Sequence, residues 1–336
     1  MSDFALCLTH DVDRPYKTYQ SLFYATKERP AYHLRTLLSR KNPYWQFEDI
    51  MALERDLGVR SSFYFLNEPS LFRTGSVRDL LDPKNVIEHA GRYDITADPL
   101  VDVILDLDAG GWEVGIHGSF RSSDDIDRLW TEKQALESIL GHEILGGRQH
   151  HLKLTDQTWE YHREIGLAYD ASPGSSSEFG FQHGYQPFRP FDDEFVVFPL
   201  TLMEVALPDP GVSFDDAWAA CERLLVEAEA NDAVMTVLWH PRYFSEAEFP
   251  GYRRLYRRLI EWALERDAWV GPVSEYYREF LKEMPAGRDE TAIVSARETE
   301  SPPSSRPNGP TTRETGYRMR PERGESDESS KRSFTN

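Results

Sequence analysis

The chain has 336 residues, of which 40% are hydrophobic and 28% charged, and its net charge is −19. This length and apolar content allow a large core in one or two domains, whereas the acidic balance argues against binding DNA or RNA, which requires basic side chains. The basic residues are 8 Lys and 30 Arg. Such a lysine-poor, acidic composition is equally typical of a halophilic protein and of an ordinary acidic protein from a GC-rich genome.

Short apolar runs alternate with amphipathic stretches through residues 1–284. The runs are continuous, which predicts strands buried on both faces of a parallel sheet. The strand candidates are residues 4–9, 61–66, 113–117, 145–151, 167–171, 195–200 and 234–240. Apolar side chains recur at helical spacing over residues 126–140, 214–228 and 252–263, which predicts three amphipathic helices.

This alternation predicts a parallel α/β fold, and a barrel and a doubly wound sheet both satisfy it. In either architecture the active site lies at the carboxyl ends of the strands. Two long departures from the alternation, residues 15–45 and 67–96, are predicted to be insertions that pack over that end of the sheet.

The composition changes at Pro285. The last 52 residues contain no Leu and no Trp and are rich in Ser, Thr, Pro, Gly, Arg and Glu. Such a segment cannot bury enough apolar surface to offset the entropy of ordering it. We therefore predict a folded domain over residues 1–284 and a disordered low-complexity tail over residues 285–336.

Three further features bear on the cellular compartment. Cys7 and Cys221 lie in apolar contexts without a CxxC motif, which favours buried thiols in a reducing environment. No apolar run approaches the roughly 20 residues that span a bilayer, and the N-terminal residues lack the basic and hydrophobic regions of a signal peptide. These features predict a cytoplasmic protein that does not insert into a membrane.

Polar side chains suited to catalysis or metal binding fall at the ends of four predicted strands. If the first strand continues to Asp13, Asp11 and Asp13 point to the same side, where two carboxylates repel each other unless a cation lies between them. The other strand ends carry His117, Arg148, His150, His151 and His240. Each alone is more often a structural polar residue, but together the carboxylates and imidazoles suit Zn²⁺ or a similar divalent ion. Nucleophile-elbow, HExxH, Walker and GxGxxG motifs do not occur in the sequence.

Five short segments carry these residues in order. They are Thr-His-Asp-Val-Asp at 9–13, Glu-Val-Gly-Ile-His-Gly-Ser at 113–119, Arg-Gln-His-His at 148–151, Tyr-Asp-Ala-Ser at 169–172 and Leu-Trp-His at 238–240. Their order and spacing resemble those of the NodB-type polysaccharide deacetylases (carbohydrate esterase family four) over about residues 4–280. The first segment resembles a variant of the family's Thr-Phe-Asp-Asp-Gly motif, which indicates a subgroup with a His-Asp-Val-Asp first motif. The others are similar to its His-Ser/Thr-x-x-His, Arg-x-Pro-Tyr, Tyr-Asp-Ser-Ser and Leu-His segments.

The resemblance implies a deformed (β/α)7 barrel that holds one divalent metal ion, with Zn²⁺ as the expected ion. It implies that Asp11 is the general base that activates water and that Arg148 orients this carboxylate. Asp13 and His117 would be metal ligands, and His240 would be the general acid that protonates the leaving amine. In this chemistry the metal polarises the acetamide carbonyl while the acid and base transfer protons.

Two positions depart from the family's motifs. Arg121 replaces the second His of the metal motif, so one ligand is missing. We predict that His150 supplies this ligand and that Arg121 turns outward or pairs with a carboxylate. His150 is favoured over His151 because it shares the inward face of its strand with Arg148. His10 is the weaker candidate because it is out of phase with the two carboxylates.

Together these interpretations predict a metal-dependent hydrolase that removes an N-acetyl group from a sugar or glycan precursor. Two alternatives stay open: hydrolysis of another amide C–N bond on the same barrel, and a barrel without activity that binds glycans. Arg121 favours the inactive barrel, whereas the retained motif residues disfavour it.

Overall fold

A computed structural model describes residues 4–17, 21, 25–26, 29–38, 42–67 and 93–281 of the chain. The predicted disordered tail, residues 285–336, lies outside these ranges, as do most of the predicted insertion 67–96 and parts of the insertion 15–45. Within the described ranges, no helix is both long and apolar enough to cross a membrane.

The described strands form one sheet in which all the named strands pair in parallel. In chain order they are β1 (Ala5–Val12), β2 (Ser62–Leu66), β3 (Glu113–Gly118), β4 (Gly146–Gln149), β5 (Tyr169–Asp170), β6 (Val196–Val197), β7 (Leu200–Met203), β8 (Val234–Leu238) and β9 (Trp269–Gly271). Their order in the sheet is β6-β5-β4-β3-β2-β1-β8-β7, and β9 pairs with the start of β1. The long strand β1 is buried along its whole length and lies near the middle of the sheet.

The connection between β6 and β7 closes this sheet into a barrel. The two strands lie at opposite edges of the sheet, but only Phe198 and Pro199 separate them in the chain. Three peptide units span at most about 11 Å, so the two edges must approach each other. A contact across the interior supports this closure. Arg148 on β4 donates a hydrogen bond of 2.8 Å to Asp11 on β1, although β2 and β3 lie between these strands in the sheet. The predicted deformed (β/α) barrel is therefore confirmed, and the doubly wound alternative is wrong.

Two features of the sheet differ from the sequence prediction. The predicted strand 195–200 is divided into β6 and β7, and the break contains Pro199, which has no N–H for a ladder hydrogen bond. The strand β9 is only three residues long, and so short a segment has no periodic pattern that would identify it.

Eight α-helices lie within the described residues. They are α1 (Pro30–Leu38), α2 (Phe47–Leu57), α3 (Asp98–Ala109), α4 (Ile126–Leu140), α5 (Thr158–Glu164), α6 (Phe214–Ala230), α7 (Tyr252–Leu264) and α8 (Val273–Tyr276). The three helices predicted from apolar spacing correspond to α4, α6 and α7. Ser213 caps α6 by accepting a hydrogen bond from the backbone N–H of Asp216, and the side chain of Asp125 caps α4 in the same way. The sequence prediction omitted the remaining helices.

The barrel wall separates two parts of the core. The larger part lies between strands and helices and includes Cys221, whereas Cys7, Tyr64 and Tyr169 belong to a smaller cluster inside the barrel. Both cysteines are buried free thiols, as predicted. At the amino end of the barrel, Glu113 accepts a hydrogen bond of 2.5 Å from the Tyr169 hydroxyl, and burial raises the pKa of Glu113. This half-buried carboxyl therefore links β3 to β5 at the end of the barrel opposite the predicted site.

Candidate active site

The carboxyl ends of β1, β3, β4 and β8 meet at one mouth of the barrel, where the predicted site residues come together. Those residues are Asp11, Asp13, His117, Arg148, His150 and His240. Each has a polar atom within 3.8 Å of another member of the set. The strand-end positions therefore define one compact polar cluster.

Asp11 is held by a fully buried arginine. Arg148 Nη1 donates hydrogen bonds of 2.8 Å to Asp11 Oδ1 and 2.9 Å to Thr9 Oγ1, and Arg148 Nε donates one of 2.7 Å to the Ala171 carbonyl. The second carboxylate oxygen, Asp11 Oδ2, lies 3.8 Å from His117 Nε2. Arg148 thus fixes the orientation of the Asp11 carboxylate toward the centre of the cluster.

The Tyr-Asp-Ala-Ser segment on β5 supports this arginine. Asp170 accepts hydrogen bonds from Ser172 Oγ at 2.5 Å, from the Ser172 backbone N–H at 3.0 Å and from Trp159 Nε1 at 3.1 Å. Ala171 lies between the two bonded residues, and its carbonyl accepts the hydrogen bond from Arg148 Nε. The segment therefore positions Arg148 through the Ala171 carbonyl and contributes no side chain to the cluster.

Three side chains at the centre of the cluster are spaced to hold a metal ion. The candidate ligand atoms of Asp13, His117 and His150 all lie within 4.8 Å of one another. Asp13 Oδ1 is 3.0 Å from His117 Nε2 and 3.8 Å from His150 Nε2. Tetrahedral zinc ligands at about 2 Å from the ion are spaced about 3.3 Å apart, so this trio fits one such ion.

Hydrogen bonding leaves the candidate ligand atoms available. His117 Nδ1 donates a hydrogen bond of 2.8 Å to the Arg148 carbonyl, which directs the Nε2 lone pair toward the cluster. Asp13 Oδ1 is buried and accepts no hydrogen bond from the part of the chain that the structure describes. Burying an unsatisfied carboxylate oxygen is destabilising, and a cation between Asp13 and the two imidazoles would satisfy it. The residues present therefore fit a divalent ion.

The protonation states agree with a cation site. Burial alone would raise the pKa of Asp13, but the adjacent imidazoles of His240 and His117 hold that pKa well below its usual range. Burial lowers the pKa of His150 well below its usual value, so its imidazole is neutral at pH 7. Burial would also lower the pKa of His117, but the carboxylates of Asp11 and Asp13 raise it. A bound cation would compete with the proton on His117.

His240 flanks the same carboxylate and is paired with a buried glutamate. His240 Nε2 is 3.3 Å from Asp13 Oδ2, and His240 Nδ1 donates a hydrogen bond of 2.6 Å to Glu204 Oε1. Burial alone would lower the pKa of His240, but the negative charge of Glu204 raises it to about 9. His240 therefore carries a proton on Nε2 at neutral pH and presents it to the cluster.

The sequence prediction missed two residues of the cluster. Glu204 is fully buried and directly follows β7, so it obeys the strand-end rule. It was missed because the predicted strand ended at residue 200, whereas β7 extends to Met203. Arg242 follows His240 by two residues, and its Nη1 lies 3.6 Å from Asp13 Oδ2. Its position next to the Leu-Trp-His segment was the only sequence signal.

Three residues considered in the sequence analysis lie away from the centre of the cluster. His10 is fully buried, and its Nε2 lies 3.0 Å from Glu54 Oε1, so it points out of phase with Asp11 as expected. Arg121 is exposed. His151 is also exposed; its ring stacks on that of His150 with a centroid distance of 4.0 Å, and its φ is 60°. The left-handed backbone at His151 accompanies the inward position of His150.

Comparisons with known proteins show a shared fold. No family model matches the sequence, and no curated protein matches it in a sequence search. A candidate polysaccharide deacetylase from Mycobacterium smegmatis is similar in structure with a TM-score of 0.55 and 17% identity, over 91% of this chain and 95% of that one. A second candidate polysaccharide deacetylase, from Pseudomonas aeruginosa PAO1, has a TM-score of 0.55 and 12% identity, over 84% and 93% of the two chains. The allantoinase PuuE has a TM-score of 0.55 and 14% identity, over 85% and 93%.

Proposed function

We propose that this protein is a metal-dependent hydrolase that removes an N-acetyl group from a sugar or glycan precursor. The observation that carries the proposal is the arrangement around Asp13. Its buried Oδ1 lies between two imidazole nitrogens, its Oδ2 faces the protonated His240, and the ionic pair of Asp11 and Arg148 lies alongside. Side chains that could hold a metal ion, a carboxylate that could act as a base and a histidine that could act as an acid thus occur together at one barrel mouth, which is the combination that metal-assisted amide hydrolysis requires. The shared fold with two candidate polysaccharide deacetylases supports the same reaction class.

Asp13, His117 and His150 would hold the ion. When bound, a divalent cation supplies polarisation of the acetamide carbonyl and lowers the pKa of water. Zn²⁺ suits a set of one carboxylate and two imidazoles.

The chain's own residues supply the proton transfers. Asp11 accepts a proton from the attacking water, and its hydrogen bond from Arg148 holds the carboxylate in a fixed orientation. His240 donates its Nε2 proton to the leaving nitrogen as the C–N bond breaks, and Glu204 holds the ring by Nδ1 so that Nε2 faces the cluster. Water therefore adds across the amide bond, and the products are acetate and the free amine.

A second candidate is the hydrolysis of another amide C–N bond by the same groups. The similarity of the fold to an allantoinase favours it. The two candidates use the same metal, base and acid and differ only in the substrate that the barrel mouth accepts.

The test combines metal analysis with acetate release. The protein is purified, loaded with Zn²⁺, and assayed on N-acetylglucosamine oligomers before and after treatment with a chelator. His240→Ala should lower acetate release by about 10²- to 10⁴-fold. The matched control is His142→Ala, which removes a half-exposed histidine that pairs with Asp108 outside the cluster and should leave the rate unchanged.

Each contrary result has a defined meaning. A protein that binds the metal but hydrolyses cyclic amides in place of acetamido sugars supports the second candidate. A protein that binds no divalent ion and releases no acetate contradicts the proposal and supports an inactive barrel. Near-wild-type release by the His240→Ala variant would remove His240 from its proposed role.

A further inference from the structure

Two adjacent residues directly after the candidate metal ligand His150 have a left-handed backbone. The φ angle is 60° at His151 and 55° at Leu152. Residues with a Cβ atom enter this region at a steric cost, a bulky side chain such as leucine rarely does so, and such residues occur singly as a rule. Among the described residues, this is the only place where two non-glycine residues with positive φ follow each other. Such strain persists only where the surrounding structure enforces it.

The side chain of Leu152 supplies this constraint. It is partly buried and packs against three apolar residues of β7 and β8. These residues are Leu200, Met203 and Leu238. Neither strand is a neighbour of β4 in the sheet, so the turn that follows β4 is fixed by a contact with another part of the barrel wall.

This contact connects the chain segments on either side of Asp13. Leu152 follows His150 by two residues, and His150 Nε2 lies 3.8 Å from Asp13 Oδ1. Strand β8, which Leu152 contacts, ends two residues before His240, and His240 Nε2 lies 3.3 Å from Asp13 Oδ2. Leu152 therefore ties the turn that carries a candidate metal ligand to the strand that leads to the proposed acid.

We propose that Leu152 is a positioning residue that holds the imidazole of His150 in the candidate metal site through the strained turn. The inference rests on the metal site of the proposed function. With the Leu152 contact in place, the left-handed backbone keeps His150 next to Asp13 before any ion binds. An ion loses less free energy to the ordering of its ligands when they are already in place. The turn therefore strengthens metal binding, while its strain lowers the stability of the fold.

A purely structural role for the turn predicts a different result. If the Leu152 contact only stabilises the barrel, a variant that keeps its stability also keeps its metal affinity. In the positioning role, the two properties separate when the strain at His151 is relieved. His151→Gly relieves this strain because glycine adopts positive φ without a steric cost, but the freer backbone no longer holds His150 in place. His151→Asn also removes the ring that stacks on His150, yet asparagine tolerates a left-handed backbone and is less free than glycine.

The experiment compares metal affinity with stability in four variants of the full chain. Calorimetric titration of Zn²⁺ into the metal-free protein gives Kd, and urea unfolding of the metal-free protein gives the midpoint. Leu152→Ala and His151→Gly should weaken zinc binding about 10- to 100-fold, as the loss of residues that orient metal ligands does, whereas His151→Asn should keep it. The midpoint of His151→Gly should equal or exceed that of the wild type. Asp267→Gly is the matched control and should keep the zinc affinity, because Asp267 is exposed, has φ 56° and lies outside the cluster.

The outcomes separate this inference from the proposed function. Equal zinc affinity in His151→Gly and His151→Asn, or a loss of affinity only in variants that lose stability, overturns the inference and leaves the proposed hydrolase standing. If the wild type binds no divalent ion, the proposed function fails, and modification by diethyl pyrocarbonate decides. This reagent modifies accessible imidazoles, and the side chain of His150 is 17% exposed. Faster modification of His150 in Leu152→Ala and His151→Gly than in His151→Asn supports the positioning role, and equal rates overturn it.

Discussion

The buried ion pair between Asp11 and Arg148 permits a quantitative test of the site's architecture. The two charged atoms are 2.8 Å apart, and the side chains are 3% and 0% exposed. Two unit charges at this separation attract each other by about 6 kcal/mol at an effective dielectric constant of about 20. Asp11→Asn removes the negative charge and leaves the guanidinium buried without a counter-ion. We therefore expect the free energy of unfolding to fall by about 3–5 kcal/mol.

An exposed pair of equal length provides the control for this prediction. Arg257 Nη2 and Asp56 Oδ2 are also 2.8 Å apart, but their side chains are 41% and 63% exposed. Solvent screens this pair, so Asp56→Asn should lower the free energy of unfolding by less than about 1 kcal/mol. The two substitutions remove the same carboxylate at the same distance and differ in burial.

Urea unfolding at pH 7 in the presence of a chelator measures both effects without a contribution from bound metal. Fluorescence and circular dichroism should give coincident transitions, so that a two-state analysis applies. The double variant Asp11→Asn with Arg148→Met removes both charges. It should be destabilised by about 2–3 kcal/mol less than the sum of the two single variants, because neither charge is then left alone. An effect of Asp11→Asn no larger than that of Asp56→Asn, or strict additivity in the double variant, would refute this reasoning.

Three further predictions concern the metal site, a buried carboxyl and the net charge. His150→Ala should lower the zinc content of the purified protein, whereas His10→Ala should keep it, because His10 contacts Glu54 away from the cluster; the reverse result in mass spectrometry would exchange their roles. Burial raises the pKa of Glu132 to about 7. The folded protein therefore holds this proton more tightly than the unfolded chain does, and the stability that the protonated carboxyl contributes at low pH is lost as pH rises through 7. The free energy of unfolding of Glu132→Gln, measured with urea, should therefore rise by about 2–3 kcal/mol relative to that of the wild type between pH 5 and pH 8. A difference between the two proteins that does not change with pH would contradict this. Because the chain carries −19, its melting temperature should rise from dilute buffer to molar KCl, and a flat curve would argue against adaptation to high salt.

The strands of the barrel could be predicted because their pattern is local. Continuous apolar runs identify strands buried on both faces, and the segments that became β1, β2, β3, β4, β5 and β8 all show this pattern. Barrel closure could not be predicted in this way. It depends on β6 and β7 lying at opposite sheet edges with only Phe198 and Pro199 between them, an arrangement that the composition of neither strand encodes.

The cluster could be predicted only as far as strand ends could be placed. His117 lies near the carboxyl end of β3 and His150 directly follows β4, so both fell at predicted strand ends and could be matched to the metal motif of the family that the sequence resembles. Glu204 was missed because Pro199 divides a single apolar run and moves the second strand end to Met203. Arg242 was missed because it lies in the short helical turn beyond His240, where no strand periodicity applies.

The sequence by itself indicated that Asp11 and Asp13 share one face of their strand and that Arg148 and His150 share one face of theirs, because alternation along a strand is a property of neighbouring residues. Only the tertiary structure decided which of them meet. Arg148 and Asp11 are 137 residues apart in the chain, and His240 and Glu204 are 36 apart, so their pairing follows from the closure of the sheet. The pKa of His240 and the unsatisfied oxygen of Asp13 have the same origin, since burial and charge are set by groups that folding brings together.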